Sequence, residues 1–223
     1  MGKFKELKLL FKMFKGSRGY LGGWNYTFFN NDGEAIAVWL KDNKFCLTDI
    51  DSKTEIKSFE NIHKSEISIF KASPKGNYFV SVDINNFLLI WSCLELKISY
   101  AFKCSSKNRE VTSLSWSNCE RYLGIGSRSC ISVWSIAEEK KIRLFNNCHD
   151  GDVKSLIFNK DGNYLISCCA AYSDTDIKIW DLENKACTET IKIESLIQKD
   201  PTSVTKSSFK TIKLIKLDPT DEN

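Results

Sequence analysis

Two histidines, His63 and His149, are the only imidazoles in this 223-residue chain. His149 precedes Ser167 and Asp174, and His63 precedes Ser81 and Asn85. A base, a hydroxyl and a carboxylate are the parts of a Ser-His-Asp hydrolase, in which the imidazole takes the serine proton and the carboxylate orients the ring. Nine cysteines, at positions 46, 93, 104, 119, 130, 148, 168, 169 and 187, offer thiolate or metal chemistry instead. None forms a C-x-x-C, and a zinc site needs four clustered ligands, so no metal is expected. An odd, scattered count in a chain this long suits no disulfide framework. The cysteines read as reduced, mostly buried thiols, with the adjacent Cys168 and Cys169 as the one pair that has a redox alternative. No G-x-x-x-x-G-K-[ST], G-x-G-x-x-G or H-E-x-x-H occurs, and Gly124-Ile125-Gly126 lacks the third glycine and the helix of a dinucleotide loop. No cofactor is expected.

Composition bounds the classes further. Hydrophobic residues make up 42% and charged residues 27%, which describes a globular chain. The 32 basic and 28 acidic residues leave +4, too even a balance to argue for nucleic acid by itself. The longest apolar runs, such as Phe87-Leu88-Leu89-Ile90-Trp91, fall far short of the ~20 residues of a membrane helix. Lysines interrupt the N-terminal KFKELKLLFKMFKG every few residues, so it has no signal-peptide core. The high aromatic content of 12% suits packed β-sheet.

The elements that must position these residues recur at a fixed period. Trp91, Trp134 and Trp180 are 43 and 46 apart, and each ends a short apolar run. Thr48, 43 residues before Trp91, ends a degenerate first copy. Phe14, Phe59, Phe102 and Phe145 are spaced 45, 43 and 43. Turn signals fall at Asp32-Gly33, Lys75-Gly76, Cys119-Glu120 and Asp161-Gly162, and strand starts at Trp24, Ile67, Val111 and Val153. The last full unit predicts strands at 153–159, 164–169, 176–181 and 186–193, with both faces of the first one buried. A unit of four short strands over about 43 residues has the size of one propeller blade.

Trp180-Asp181 closes such a unit, and over residues 8–193 the chain resembles the WD-repeat β-propeller family. The resemblance implies an all-β fold of about four blades plus the first strand of a fifth, an incomplete propeller. It also implies a buried hydrogen-bonded network of histidine, strand serine, turn aspartate and tryptophan. His149, Ser167, Asp174 and Trp180 match those positions in the fourth repeat; His63, Ser81, Asn85 and Trp91 match them in the second, with asparagine in place of aspartate. The third repeat has Arg128 at the aspartate position and no histidine, so its network is expected to be absent. A catalytic triad occurs once and carries its nucleophile on an exposed, strained turn. A pattern that recurs in part inside strands and tight turns reads as structural, and the chain is expected not to be an enzyme.

The divisions expected are a basic segment with an outer strand at 1–23 and repeats at 24–59, 60–102, 103–145 and 146–193. A polar linker at 194–209 and the start of a fifth repeat at 210–223 follow. In this family an N-terminal strand completes the last blade; residues 10–14 align with it, and an amphipathic helix is the other reading of that stretch. Ile212, Leu214, Ile215 and Leu217 read like the first strand of a fifth blade; the expectation is a portion of a longer propeller, the alternative being that a partner supplies the remaining surface.

Such a fold without a catalytic constellation implies a protein-protein interaction scaffold in a multi-subunit complex. RNA contact would be only indirect, and no membrane or small-molecule partner is expected. Loop residues Arg109 and Arg128 are the candidate interaction positions. The blades from Val111 to Trp180 resemble nucleolar WD-repeat subunits of the small-subunit processome in ribosome assembly. A propeller like that of initiation factor 2A, or an adaptor in ubiquitin-ligase or trafficking complexes, are the alternatives. Each places the chain inside the cell, in the nucleus, nucleolus or cytoplasm.

Overall fold

Short runs rich in β-branched and aromatic residues, each closed by a tight turn, fold into strands paired with their sequence neighbours. The computed structural model describes residues 25–29, 35–41, 44–49, 51–52, 54–60, 63–104, 110–169, 171 and 174–192. The chain divides into two units, Met1–Lys64 and Ser65–Asn223. The first holds one antiparallel sheet of β1 (Asn25–Phe29), β2 (Ala35–Lys41), β3 (Lys44–Asp49) and β4 (Glu55–Glu60), in that order.

The second unit holds three antiparallel sheets of the same up-and-down order. One is β5 (Ile67–Ala72), β6 (Tyr78–Asp83), β7 (Phe87–Ser92) and β8 (Lys97–Lys103). The next is β9 (Val111–Trp116), β10 (Tyr122–Ser127), β11 (Cys130–Ser135) and β12 (Lys140–Asn146). The last is β13 (Val153–Phe158), β14 (Tyr164–Cys169), β15 (Ile177–Asp181) and β16 (Ala186–Ile191). The strands of this sheet end one or two residues inside the predicted limits at three points: Phe158, Ile177 and Ile191. The predicted N-terminal strand, the polar linker, the start of a fifth repeat and Arg109 lie outside the described residues. Among the described residues no helix is long and apolar enough to cross a membrane.

The backbone repeats along with the sequence. Gly76, Glu120 and Gly162 sit at equivalent first turns with φ of 76°, 59° and 77°. Leu96, Glu139 and Lys185 sit at equivalent third turns with φ of 50°, 54° and 57°. Each pairing of third and fourth strands shifts register just before the tryptophan: between Ile90 and Trp91, Val133 and Trp134, and Ile179 and Trp180. An extra residue at that point bends the strand and re-aims the side chain that follows.

First strands lie at the centre of the second unit, with β9 against β5 and β13. Val80, Val82, Leu88 and Ile90 of the second sheet form one buried cluster with Val111, Leu114, Trp116, Leu123 and Ile125 of the third. Ile131, Val133 and Phe145 of the third sheet form another with Val153, Leu156, Phe158, Leu165 and Trp180 of the fourth. Burial of each such side chain contributes about 1.5–3 kcal/mol. The closeness of these sheets explains one glycine. A Cβ at Gly126 would collide with Ser113 Oγ and press on Val153, so this residue serves packing and not a phosphate.

Candidate functional site

The fourth sheet gathers His149, Ser167, Asp174 and Trp180. Register pairs Leu165 with Trp180 and sets Ser167 two residues further along β14, on the same face of the sheet. Trp180 Nε1 donates to Ser167 Oγ at 2.8 Å. Ser167 Oγ is 2.8 Å from His149 Nε2, and His149 Nδ1 is 2.9 Å from Asp174 Oδ2. An ionised carboxylate only accepts, so a neutral His149 carries its proton on Nδ1 and Ser167 donates to Nε2. The donors therefore run in one direction, from Trp180 through Ser167 and His149 to Asp174. Asp174 also accepts from the backbone N–H of Asp150 at 3.0 Å and of Asp176 at 3.1 Å.

Electrostatics follow from burial and these bonds. Burial holds the His149 imidazole below its usual value against the pull of the Asp174 charge. Burial pushes the Asp174 carboxyl up, but the Asp150 N–H and His149 outweigh it and hold the group below the usual carboxylate range.

The connectivity is that of a Ser-His-Asp relay, but it lacks access. Ser167 is 0% exposed, His149 3%, Asp174 6% and Trp180 7%. Ser167 lies within a strand, and its oxygen accepts from an indole. No acyl group reaches it without opening the sheet. Cys169 Sγ joins His149 and Asp174 in a group whose ligand atoms lie within 4.8 Å of one another. Those atoms are engaged in hydrogen bonds: Cys169 donates to the Asp174 carbonyl at 2.9 Å. The Lys178 ammonium, 4.0 Å from Asp174 Oδ2, repels a cation.

The second sheet is built differently. Trp91 Nε1 donates to Ser81 Oγ at 3.1 Å, and both residues are buried. His63 is buried at 4% and belongs to the first unit. Asn85 is exposed, which corrects its assignment to the aspartate position of a buried network. The carboxylate there is Asp83, 2% exposed, which accepts from Ser65 Oγ at 2.7 Å and from the N–H groups of Asn85 and Phe87 at 2.9 Å. The hairpin after β6 is shorter than the loop before Asp174. The carboxylate that braces it therefore comes from the strand end, two residues earlier than spacing from Trp91 suggests.

In the third sheet Leu123 pairs with Trp134, and Ile125 takes the place of the serine. Trp134 Nε1 is buried without an acceptor, and its ring stacks on Phe102 of the preceding sheet at 3.9 Å. Phe145 packs on Trp180 with ring centroids 4.8 Å apart and the planes tilted by 40°. Arg128 is exposed, and its backbone bridges to Asp152.

Two groups escaped the sequence reading. Glu120, 5% exposed, accepts from the Lys75 N–H and from Asn77 Nδ2, both at 2.7 Å, and so joins the first turns of the second and third sheets. Its place at a turn position held elsewhere by glycine was the available signal. Burial pushes the neighbouring Cys119 thiol up, yet Arg121 Nε at 3.4 Å and Ser117 Oγ at 3.4 Å bring it down to about 7. Cys148 is pushed up to about 12 and Cys168 to about 11, burial being the first cause in each.

Four-stranded meanders, the tryptophan-serine bond and the packing of an outer-strand phenylalanine on the next tryptophan define blades of the WD-repeat β-propeller type. Residues 139–181 match the family described as WD domain, G-beta repeat. The chain is 28% identical over 131 residues to pre-mRNA-splicing factor cwf17 of Schizosaccharomyces pombe, covering 58% of this chain and 37% of that one. It is 29% identical over 99 residues to anaphase-promoting complex subunit cdc20 of Dictyostelium discoideum, covering 44% and 19%. It is 24% identical over 156 residues to actin-interacting protein 1 of Drosophila melanogaster, covering 70% and 25%. The chain thus spans well under half the length of each. The solved WD40 repeats of RRP9 superpose with a TM-score of 0.51 at 20% identity, over 58% of this chain and 39% of that one. The solved structure of U3-55K gives the same score, covering 40% of its own length.

Proposed function

We propose that this chain is a non-catalytic scaffold that holds other proteins together in a multi-subunit complex. The observation that carries the reading is the burial of the whole relay at Ser167, His149 and Asp174, which turns the triad-like group of the fourth sheet into a brace for Trp180. Rigid sheets then leave binding to their connecting loops. Arg128 stands exposed in the β10–β11 turn, and arginine is enriched among residues that dominate binding energy. One relative is by name a subunit of a complex, and another is by name an interacting protein. Within this class we favour a subunit of the small-subunit processome, on the resemblance of the third and fourth repeats. It would reach RNA only through protein partners and work in the nucleolus, nucleus or cytoplasm, without cofactor or small-molecule substrate.

The test compares partners recovered by tagged wild type, Arg128→Glu and Arg109→Glu chains of equal stability. Loss of a partner from either variant is expected; full recovery by both removes these arginines from the interface. Co-sedimentation with pre-ribosomal particles is expected for the processome reading, and migration apart from them overturns it. Esterase activity lost in Ser167→Ala would overturn the non-catalytic assignment.

A further inference from the structure

The first turns of the three sheets in the second unit repeat one backbone. Gly76, Glu120 and Gly162 share the left-handed position, and each donates its N–H to the carbonyl that opens the turn, that of Ser73, Ser117 or Asn159. In the third sheet this position reaches out. The Glu120 carboxylate crosses to the second sheet and accepts from the Lys75 N–H and from Asn77 Nδ2, both at 2.7 Å. The residues of the third sheet that stand where Lys75 and Asn77 stand are Cys119 and Arg121. The fourth sheet offers them no acid, because its residue at the place of Glu120 is Gly162.

Room and donors remain at the place of the missing side chain. A Cβ at Gly162 would meet Ser117 Cβ at 3.4 Å, Cys119 Sγ at 3.8 Å and Tyr122 Cδ2 at 3.8 Å, which are ordinary contacts. Arg121 comes to the same two residues: its Nε is 3.4 Å from Cys119 Sγ, and its guanidinium is 5.7 Å from the centre of the Tyr122 ring. Among the described residues no group accepts from the Cys119 N–H, and no carboxylate pairs with Arg121. Asp161, the acid next to Gly162, is exposed and takes neither donor. Burial raises the Cys119 thiol, and the bonds from Arg121 and Ser117 overcome it to about 7, so the surroundings favour negative charge.

We propose that the gap over Gly162 is a carboxylate-binding site, in which an aspartate or glutamate side chain of a partner protein takes the place that Glu120 fills from within one sheet earlier. One oxygen accepts from the Cys119 N–H and the other from the Arg121 guanidinium, as Glu120 divides its two oxygens between Lys75 and Asn77. Arginine in place of asparagine makes the second bond charge-assisted, which suits a ligand that must be drawn from water. The site lies at the far end of β10 from Arg128, so it is a separate contact surface. The scaffold reading supplies only the source of the acid; the donors stand without it.

The experiment uses Cys119 of the full chain as reporter and the exposed Cys187 as internal reference. Alkylation by iodoacetamide at pH 7 and constant ionic strength is followed at each cysteine by mass spectrometry. It is run with no addition, with an end-blocked hexaglutamate peptide, and with free glutarate. The expected result is a saturable slowing of Cys119 by the peptide, of about fivefold, as for a thiol raised from about 7 to about 8, with Cys187 unchanged. Arg121→Gln is expected to lose this dependence on the peptide. In Gly162→Glu Cys119 is expected to be slow before any acid is added, whereas Gly162→Gln, with the same backbone strain and no charge, is not slowed. Stronger protection by glutarate than by the peptide would keep the donors but assign them to small acids, overturning the partner. Absence of saturable protection by either acid, or equal protection in Arg121→Gln, would overturn the site itself.

Discussion

Asp174 accepts from three donors that no other described group serves at the same place: the N–H groups of Asp150 and Asp176, and His149. Asp174→Ala strands them in a buried site, at a cost of about 1–3 kcal/mol for a donor left without partner. The urea midpoint of unfolding is expected to fall accordingly, while partner binding by the folded fraction is retained. An unchanged midpoint with binding abolished would make the aspartate an interface residue. Asn85→Ala, at an exposed position, is expected to stay within about 0.5 kcal/mol of wild type. The sequence made these two residues equivalent because spacing from the tryptophan is the same in both repeats. It did not show that a shorter hairpin hands the bracing task to Asp83. Spacing counts residues along the chain, and a carboxylate is selected by where the backbone N–H groups point.

At the scale of elements, the third-strand tryptophans of the second unit, Trp91, Trp134 and Trp180, test the same bond in its presence and absence. Trp180 and Trp91 donate to serine, whereas Trp134 has Ile125 where the serine would stand and donates to nothing. Phenylalanine keeps the ring packing and removes the N–H. Trp180→Phe is therefore expected to destabilise more than Trp134→Phe by about 1 kcal/mol, the net worth of a hydrogen bond, in matched urea titrations. Equal losses would show that ring size alone counts. Glu120 poses the opposite contest. Its φ of 59° favours glycine, but its carboxylate holds the Lys75 N–H and Asn77 across to the next sheet. A left-handed residue costs about 1–2 kcal/mol and hydrogen bonds to a charged group contribute about 1.5–3 kcal/mol each. Glu120→Gly is thus expected to lower the urea midpoint, and a raised midpoint would mean that strain dominates. The strands themselves were legible because phenylalanine, tryptophan and turn residues keep a common beat. The clamp at Glu120 was not, because its partners lie on another sheet and no local pattern announces them.

For the whole molecule the buried relay sets the response to acid. His149 is held below its usual value of 6.5 by burial, so below pH 6.5 the unfolded chain takes up a proton that the native chain refuses. Stability is complete above that pH and declines as pH falls below it. Asp174 is held below 3.8, so its contribution is present above pH 3.8 and is lost as pH falls further. Urea unfolding from pH 8 to pH 5 is expected to show the first decline, with a slope of at most about 1.4 kcal/mol per pH unit for one proton. His149→Gln removes that component and leaves His63 in place; an unaltered slope would assign the decline elsewhere. The aromatic contacts between sheets carry one more consequence. Phe145 belongs to the outer strand of one sheet and Trp180 to the next, and the family match at 139–181 runs from the turn before β12 to the end of β15. The segment that matches the family is therefore offset from the sheets that fold: it carries the last strand of one sheet and three strands of the next, so Phe145 and Trp180 lie within one match although they lie on two sheets.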